Sequence, residues 1–206
     1  MGTNRRWFRK SLILLVLPLI FVLAGANRDG DRKETTYRWD IVNIPNSNPP
    51  TVFEGGFASA LANDGSRITV TGNGTFEPRE PDEVTGGGSW TTYAPDGTTV
   101  TGNGTYRVQQ LVRFDLAPGV LTGTVDNIPG AKGDLTDTRA GLMFVRIAYS
   151  DGSKGVLVFS CGLDGSPAAI FEGITASKGY TDYWNPMQGD ITLFHILSQD
   201  KKRDRE

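Results

Sequence analysis

Three segments of the chain repeat one pattern. Val70-Thr71-Gly72-Asn73-Gly74-Thr75-Phe76, Val84-Thr85-Gly86-Gly87-Gly88-Ser89-Trp90 and Val100-Thr101-Gly102-Asn103-Gly104-Thr105-Tyr106 each read V-T-G-x-G-[ST]-aromatic. Leu121-Thr122-Gly123-Thr124-Val125 resembles a degraded fourth copy. The copies follow too closely for a solenoid repeat or a propeller blade, which need roughly 20 to 50 residues. One strand plus one turn fits. Val70, Gly72, Gly74 and Phe76 are spaced by two and share a face, while Thr69, Thr71, Asn73 and Thr75 share the other. The alternation runs through the glycines unbroken, which favours a strand over an Asn-Gly turn. Same-face residues must pair with the same parity. The expected hairpins therefore set Gly72 opposite Trp90 and Phe76 opposite Gly86, then Trp90 opposite Gly102 and Tyr106 opposite Gly86. Gly74, Gly88 and Gly104 become a row without side chains, where a sheet bends sharply and aromatics shield the bare backbone.

The rest of the mature chain alternates in the same way. Four Asp-Gly-Ser/Thr triplets, at Asp64, Asp96, Asp151 and Asp164, mark hairpin turns. Strands are expected near 36–44, 55–62, 67–77, 84–93, 98–115, 119–126, 141–149, 155–161, 168–175 and 190–198. No helical period separates them. The reading is an all-β domain over 36–198: an antiparallel meander closed or nearly closed into a small barrel, with a β-sandwich as the alternative. In architecture alone, this glycine-bent meander looks like lipocalin-type or allene-oxide-cyclase-like barrels. No motif of either family is present, so no functional residue carries over.

The N-terminus has the three-part layout of an export signal. Arg5, Arg6, Arg9 and Lys10 precede the apolar run 11–23, and Ala24-Gly25-Ala26 supplies small residues before Asn27. The run is shorter than the ~20 residues of a spanning helix, and Pro18 interrupts it. Residues 1–26 are expected to form a signal helix, cleaved or retained as an anchor. Arg5-Arg6 also partly matches a twin-arginine signal. Residues 27–35 read as a flexible lead-in and 199–206 as a charged tail. Removal of 1–26 leaves 17 basic and 23 acidic residues, a net charge of −6. The product is an exported, periplasmic or extracellular protein with no electrostatic reason to bind nucleic acid. Any membrane contact runs through the N-terminal segment.

One cysteine, Cys161, and one histidine, His195, narrow the chemistry. They allow no intrachain disulfide and no Cys/His zinc site, which needs about four ligands. No cofactor motif is present. His195 shares a face with Ile191, Leu193 and Leu197 and reads as a core or rim histidine. Two charges interrupt apolar faces: Arg146 among Leu142, Phe144 and Ala148, and Glu172 among Ala168, Ile170 and Ile174. A buried charge needs a partner, so an interior Arg146–Glu172 pair is one expectation, and faces that turn both residues to water the other. Gln110 lies among Tyr106, Val108, Val112 and Phe114, as a core amide or a cavity-lining group. Trp90 and Tyr106 from the repeat, with Tyr180, Tyr183 and Trp184, complete the ligand-binding candidates. The last three either plug one end of the barrel or grip a ligand there.

The functional reading is an exported, non-catalytic binding or interaction module with a small apolar molecule as its first candidate ligand. One alternative is a barrel isomerase or cyclase using Arg146, Glu172 and a tyrosine. Another is a structural envelope protein without a cavity.

Overall fold

The computed structural model describes residues 34–128, 135–187, 189 and 191–200. The expected signal helix, residues 27–33 of the lead-in and residues 201–206 of the tail lie outside the described residues. The strands are β1 (Glu34–Asn43), β2 (Thr51–Glu54), β3 (Ala58–Ala62), β4 (Arg67–Val70), β5 (Asn73–Phe76), β6 (Gly87–Tyr93) and β7 (Val100–Ala117). They continue with β8 (Val125–Asp126), β9 (Thr138–Tyr149), β10 (Lys154–Cys161), β11 (Gly173–Lys178), β12 (Thr181–Pro186) and β13 (Thr192–Asp200). Pro81–Glu83 and Leu135–Asp137 are single 3-10 turns, and no α-helix occurs among the described residues. The strands join in one large sheet, antiparallel throughout except where β2 meets β8.

Turn chemistry sets the local order. In three triplets the aspartate accepts from the backbone N–H two residues on: Asp64 from Ser66, Asp96 from Thr98 and Asp151 from Ser153. The glycines between them have φ of 85°, 74° and 88°, the left-handed region that glycine enters without a Cβ penalty. These three turns join β3 to β4, β6 to β7 and β9 to β10. The fourth triplet does not join its strands by a tight turn, because the antiparallel strands β10 and β11 are separated by a long connection. Asp164 lies in the connection from β10 to β11 and bridges to Val120.

The repeat is strand in part: Asn73 and Gly74 lie in β5, Gly87 and Gly88 in β6, and Gly102 to Gly104 in β7, while Thr71, Gly72 and Val84 to Gly86 lie outside the strands. Its registers differ from expectation by two residues. Val70 faces Trp90, and Trp90 faces Gly104. A two-residue slip leaves every side chain on its own face, so parity alone cannot distinguish the registers. The first copy also breaks after Val70. β4 stays on β6, while β5 turns away to β1, with Phe76 opposite Tyr37 and Gly74 opposite Trp39. Only Asn73, opposite Gly87, still touches β6.

The core lies against the inner faces. Trp39, Phe76, Phe159 and Phe194 are fully buried. Phe114 packs 4.8 Å from Phe76 and 5.3 Å from Phe194, ring centre to ring centre, and Trp39 lies 4.5 Å from Phe159. Two expected faces need correction. On β9 the buried set is Met143, Val145, Ile147 and Tyr149, and Arg146 is exposed. On β7 the register shifts after Val108 and after Leu111. Each inserts one residue, so Tyr106, Val108 and Leu111 are buried while Val112 is exposed and Gln110 leaves the core.

β1 and β13 are buried on both faces. Trp39 opposite Phe194 points to the main core. Arg38 opposite His195 and Asp40 opposite Leu193 occupy the other face, where β2 and β8 supply contacts through Glu54 and Asp126.

Candidate functional site

The sequence-derived candidates do not converge. Arg146 is exposed on β9, opposite Val156 of β10 and Gln110 of β7. Gln110 donates to Asp82 at 3.1 Å, pinning the 3-10 turn at Pro81–Glu83. Trp90 and Tyr106 are buried, and their polar ends are used: Trp90 Nε1 donates to Thr105 O at 3.1 Å and Tyr106 OH to Thr71 O at 2.9 Å. Lys178 Nζ lies 4.2 Å from the Trp90 ring and bonds Asp151 and Ser153. Tyr183 is buried on β12, whereas Tyr180 and Trp184 are exposed. Residues 181–186 are a strand, not an aromatic loop.

Glu172 does not pair with Arg146. Its Oε2 accepts from Gly162 N at 2.6 Å and its Oε1 from Thr192 N at 2.7 Å. It therefore ties the end of β10 and the start of β13 to the entry of β11. Burial outweighs these donors and pushes its carboxyl up to about 7. The buried Cys161 thiol is raised by burial and then by this carboxylate.

A folded-state value above the ordinary one means that folding favours the protonated acid. The associated stability is fully present below about pH 4.5 and is lost as pH rises through about 7. The full loss is ~3 kcal/mol. Urea denaturation at pH 5 and pH 8 is expected to show this fall in the parent and a flatter profile in Glu172→Gln. Parallel profiles would assign the pH dependence elsewhere.

Two arrangements were not legible in the sequence. The first is enclosed. His195 Nε2 lies 2.7 Å from Asp126 Oδ2, and the two side chains are 1% and 3% exposed. Asp126 Oδ1 accepts from Ile128 N at 2.9 Å, which orients the carboxylate. Beside them Arg38 forks onto Asp40 at 2.7 and 2.8 Å and reaches Glu54 at 2.6 Å. This polar cluster, buried at Asp40, Asp126 and His195 and exposed at Glu54, fastens β2 and β8 to β1 and β13.

The second arrangement is open. A groove of about 440 Å³ is lined by Gly86, Thr105, Tyr106, Arg107, Gln109, Ala148, Tyr149 and Ser150. It forms where β6 begins at its glycines and β7 passes to β9. Tyr106 and Tyr149 floor it as mostly buried rings, and burial raises both phenol groups far above their ordinary range. Arg107, Gln109, Thr105 and Ser150 supply its exposed polar groups.

Two rows of small polar side chains adjoin the groove on the outer face. Pairing sets Ser59, itself buried, with Thr69, Thr91 and Asn103 in one row. Backbone bonds and pairing set Thr71, Ser89, Thr105 and Ser150 in the next. Ser59 and Thr69 hydroxyls lie 2.9 Å apart, and Thr71 and Ser89 hydroxyls 2.8 Å apart. None of these eight positions carries a charge.

Among the described residues, the groove lining holds donors and hydroxyls and no carboxylate or histidine. Among the described residues no three His, Cys, Asp or Glu side chains gather as a metal-holding set. Comparison with protein-family models, curated proteins and solved structures finds no match for this chain.

Proposed function

We propose that the chain is an exported, non-catalytic β-barrel module that binds its ligand on its outer surface, at the groove between β6, β7 and β9. What supports the barrel is the order of pairing, which leads from β9 through β10, β11, β12, β3, β4, β6 and β7 back to β9. Closure leaves these strands no free edge. The leader 1–26 supports export.

The observation that carries the binding reading is where exposed polar groups meet a concavity. Interior positions carry large, fully buried side chains such as Trp39, Phe159 and Met143. Glu172 and His195 are engaged in holding strands together. The groove combines exposed donors with a volume in the range of small-molecule sites.

Amide NMR with a mixed library of charged, neutral polar and apolar compounds tests this without presuming the ligand. At least one class is expected to shift the amides of Gly86, Thr105, Arg107, Gln109 and Ser150. Shifts centred on interior residues such as Val145 and Phe159 would place binding inside the barrel. A library that shifts nothing would favour a structural envelope protein.

A further inference from the structure

Resting on the outer-groove reading, we infer that the groove takes a soluble phosphate monoester, its phosphate seated over Ala148 among Arg107, Arg146 and Lys154. Arg107 on β7 and Lys154 on β10 both stand opposite Ala148 of β9, one on each side. Arg146 precedes Ala148 by two residues and shares its outer face. All three cations are exposed, and none forms an ion pair among the described residues. The chain holds 23 acidic residues against 21 basic ones, yet the carboxylates of this region are engaged elsewhere. Asp115 pairs with Arg113 and Asp151 with Lys178. Asp82, held by Gln110 opposite Arg146, brings a single negative charge towards three positive ones.

The geometry fits one compact dianion. Neighbouring strands stand ~4.8 Å apart and same-face residues ~6.7 Å apart along a strand. Arg107 and Lys154 are therefore ~10 Å apart at the backbone, with Arg146 ~8 Å from each. Their side chains are long enough to meet above Ala148, whose methyl group leaves that space open. A phosphate monoester carries a charge of about −1.5 to −2 and three terminal oxygens, one for each cation. A carboxylate offers one charge and two oxygens. Guanidinium groups also match a phosphate edge with two parallel N–H donors. Arg107 and Ala148 line the groove as well, so the esterified body has about 440 Å³ beside its phosphate, towards Thr105 and Ser150. A phosphate fixed in a bilayer would keep its body in the lipid and leave that space unused.

The test is an amide NMR titration of the full chain with phenyl phosphate and glycerol phosphate, against benzoate and benzyl alcohol. Vesicles of phosphatidylcholine with phosphatidic acid form a separate sedimentation arm. Both esters are expected to shift the amides of Arg107, Arg146, Ala148 and Lys154, and to bind more weakly as salt rises. Arg107→Gln, Arg146→Gln and Lys154→Gln should each weaken binding about threefold, and the triple variant about tenfold or more. Arg139→Gln, at the other end of β9, should leave it unchanged. Urea midpoints confirm that each variant folds.

Benzoate binding as tightly as phenyl phosphate overturns the phosphate assignment, and the groove reading still stands. A response to benzyl alcohol alone does the same. Binding to the vesicles alone overturns the soluble ligand. Phosphate binding that is unchanged in the triple variant overturns the assigned site. If no phosphate probe binds, the inference falls, and the mixed library decides separately whether the groove binds anything else.

Discussion

Gly88→Ala is expected to abolish folding, or to cost ~3 kcal/mol or more, as over-packing at a rigid backbone contact does. A Cβ built on Gly88 falls 1.9 Å from Thr71 O and 2.6 Å from Thr71 C. Those are main-chain atoms at the point where the chain leaves β4 for β5, so no rotamer change relieves the clash. Either the crossing moves outward or β5 loses its place on β1. Gly102→Ala is the comparison. Its Cβ would meet the Trp90 ring at 3.1 Å and Thr92 Oγ1 at 3.3 Å, which small side-chain adjustments can absorb. That variant is expected within about 1 kcal/mol of the parent, since Gly inside a strand carries its own cost of roughly that size. Urea denaturation of the two proteins reads the difference. Equal effects would show that the crossing at Thr71 has slack.

Asp126→Ala is expected to cost ~3 kcal/mol or more, because it leaves His195 buried without its partner. Nδ1 of His195 has no hydrogen-bond partner among the described residues, so within them the variant strands both ring nitrogens. Replacing the pair together, His195→Leu with Asp126→Leu, should restore most of the lost stability, because apolar groups need no partner in that layer. A double-mutant cycle in urea reports the coupling, expected above ~1 kcal/mol for a contact of this kind. Additive effects would mean that β8 is held by Val52 and Ile128 packing rather than by this contact.

The expected strand 119–126 is strand only at Val125–Asp126 and β12 was not expected, but most strands were legible because alternation and Asp-Gly turns are local signals. Which face points inward was less so. On β9 both sets are apolar apart from Arg146, and the unbroken set, Met143, Val145, Ile147 and Tyr149, was the better guide to the interior. A bulge erases the period it interrupts, and two of them in β7 misplace Gln110 and Val112. Register escapes parity when the slip is two residues, as at Val70 and Trp90. The departure of β5 to β1 depends on a strand some thirty-five residues earlier. Asp126 and His195 stand 69 residues apart, with no spacing rule to join them. The outer groove is a product of packing, although the hydroxyl row beside it was half visible in Thr69 and Thr71.

The pairing of β1 with β13 spans eight positions, from Glu34 with Asp200 to Ile41 with Thr192. The earliest strand thus waits for the last one. A chain delivered N-terminus first can offer β1 its β5 neighbour early, but its second edge stays open until residues 192–200 arrive. Contacts so remote in sequence make folding slow, and an unpaired edge during that interval invites association with other chains. The final strand acts in time as well as in space: it ends the period in which a growing chain is vulnerable.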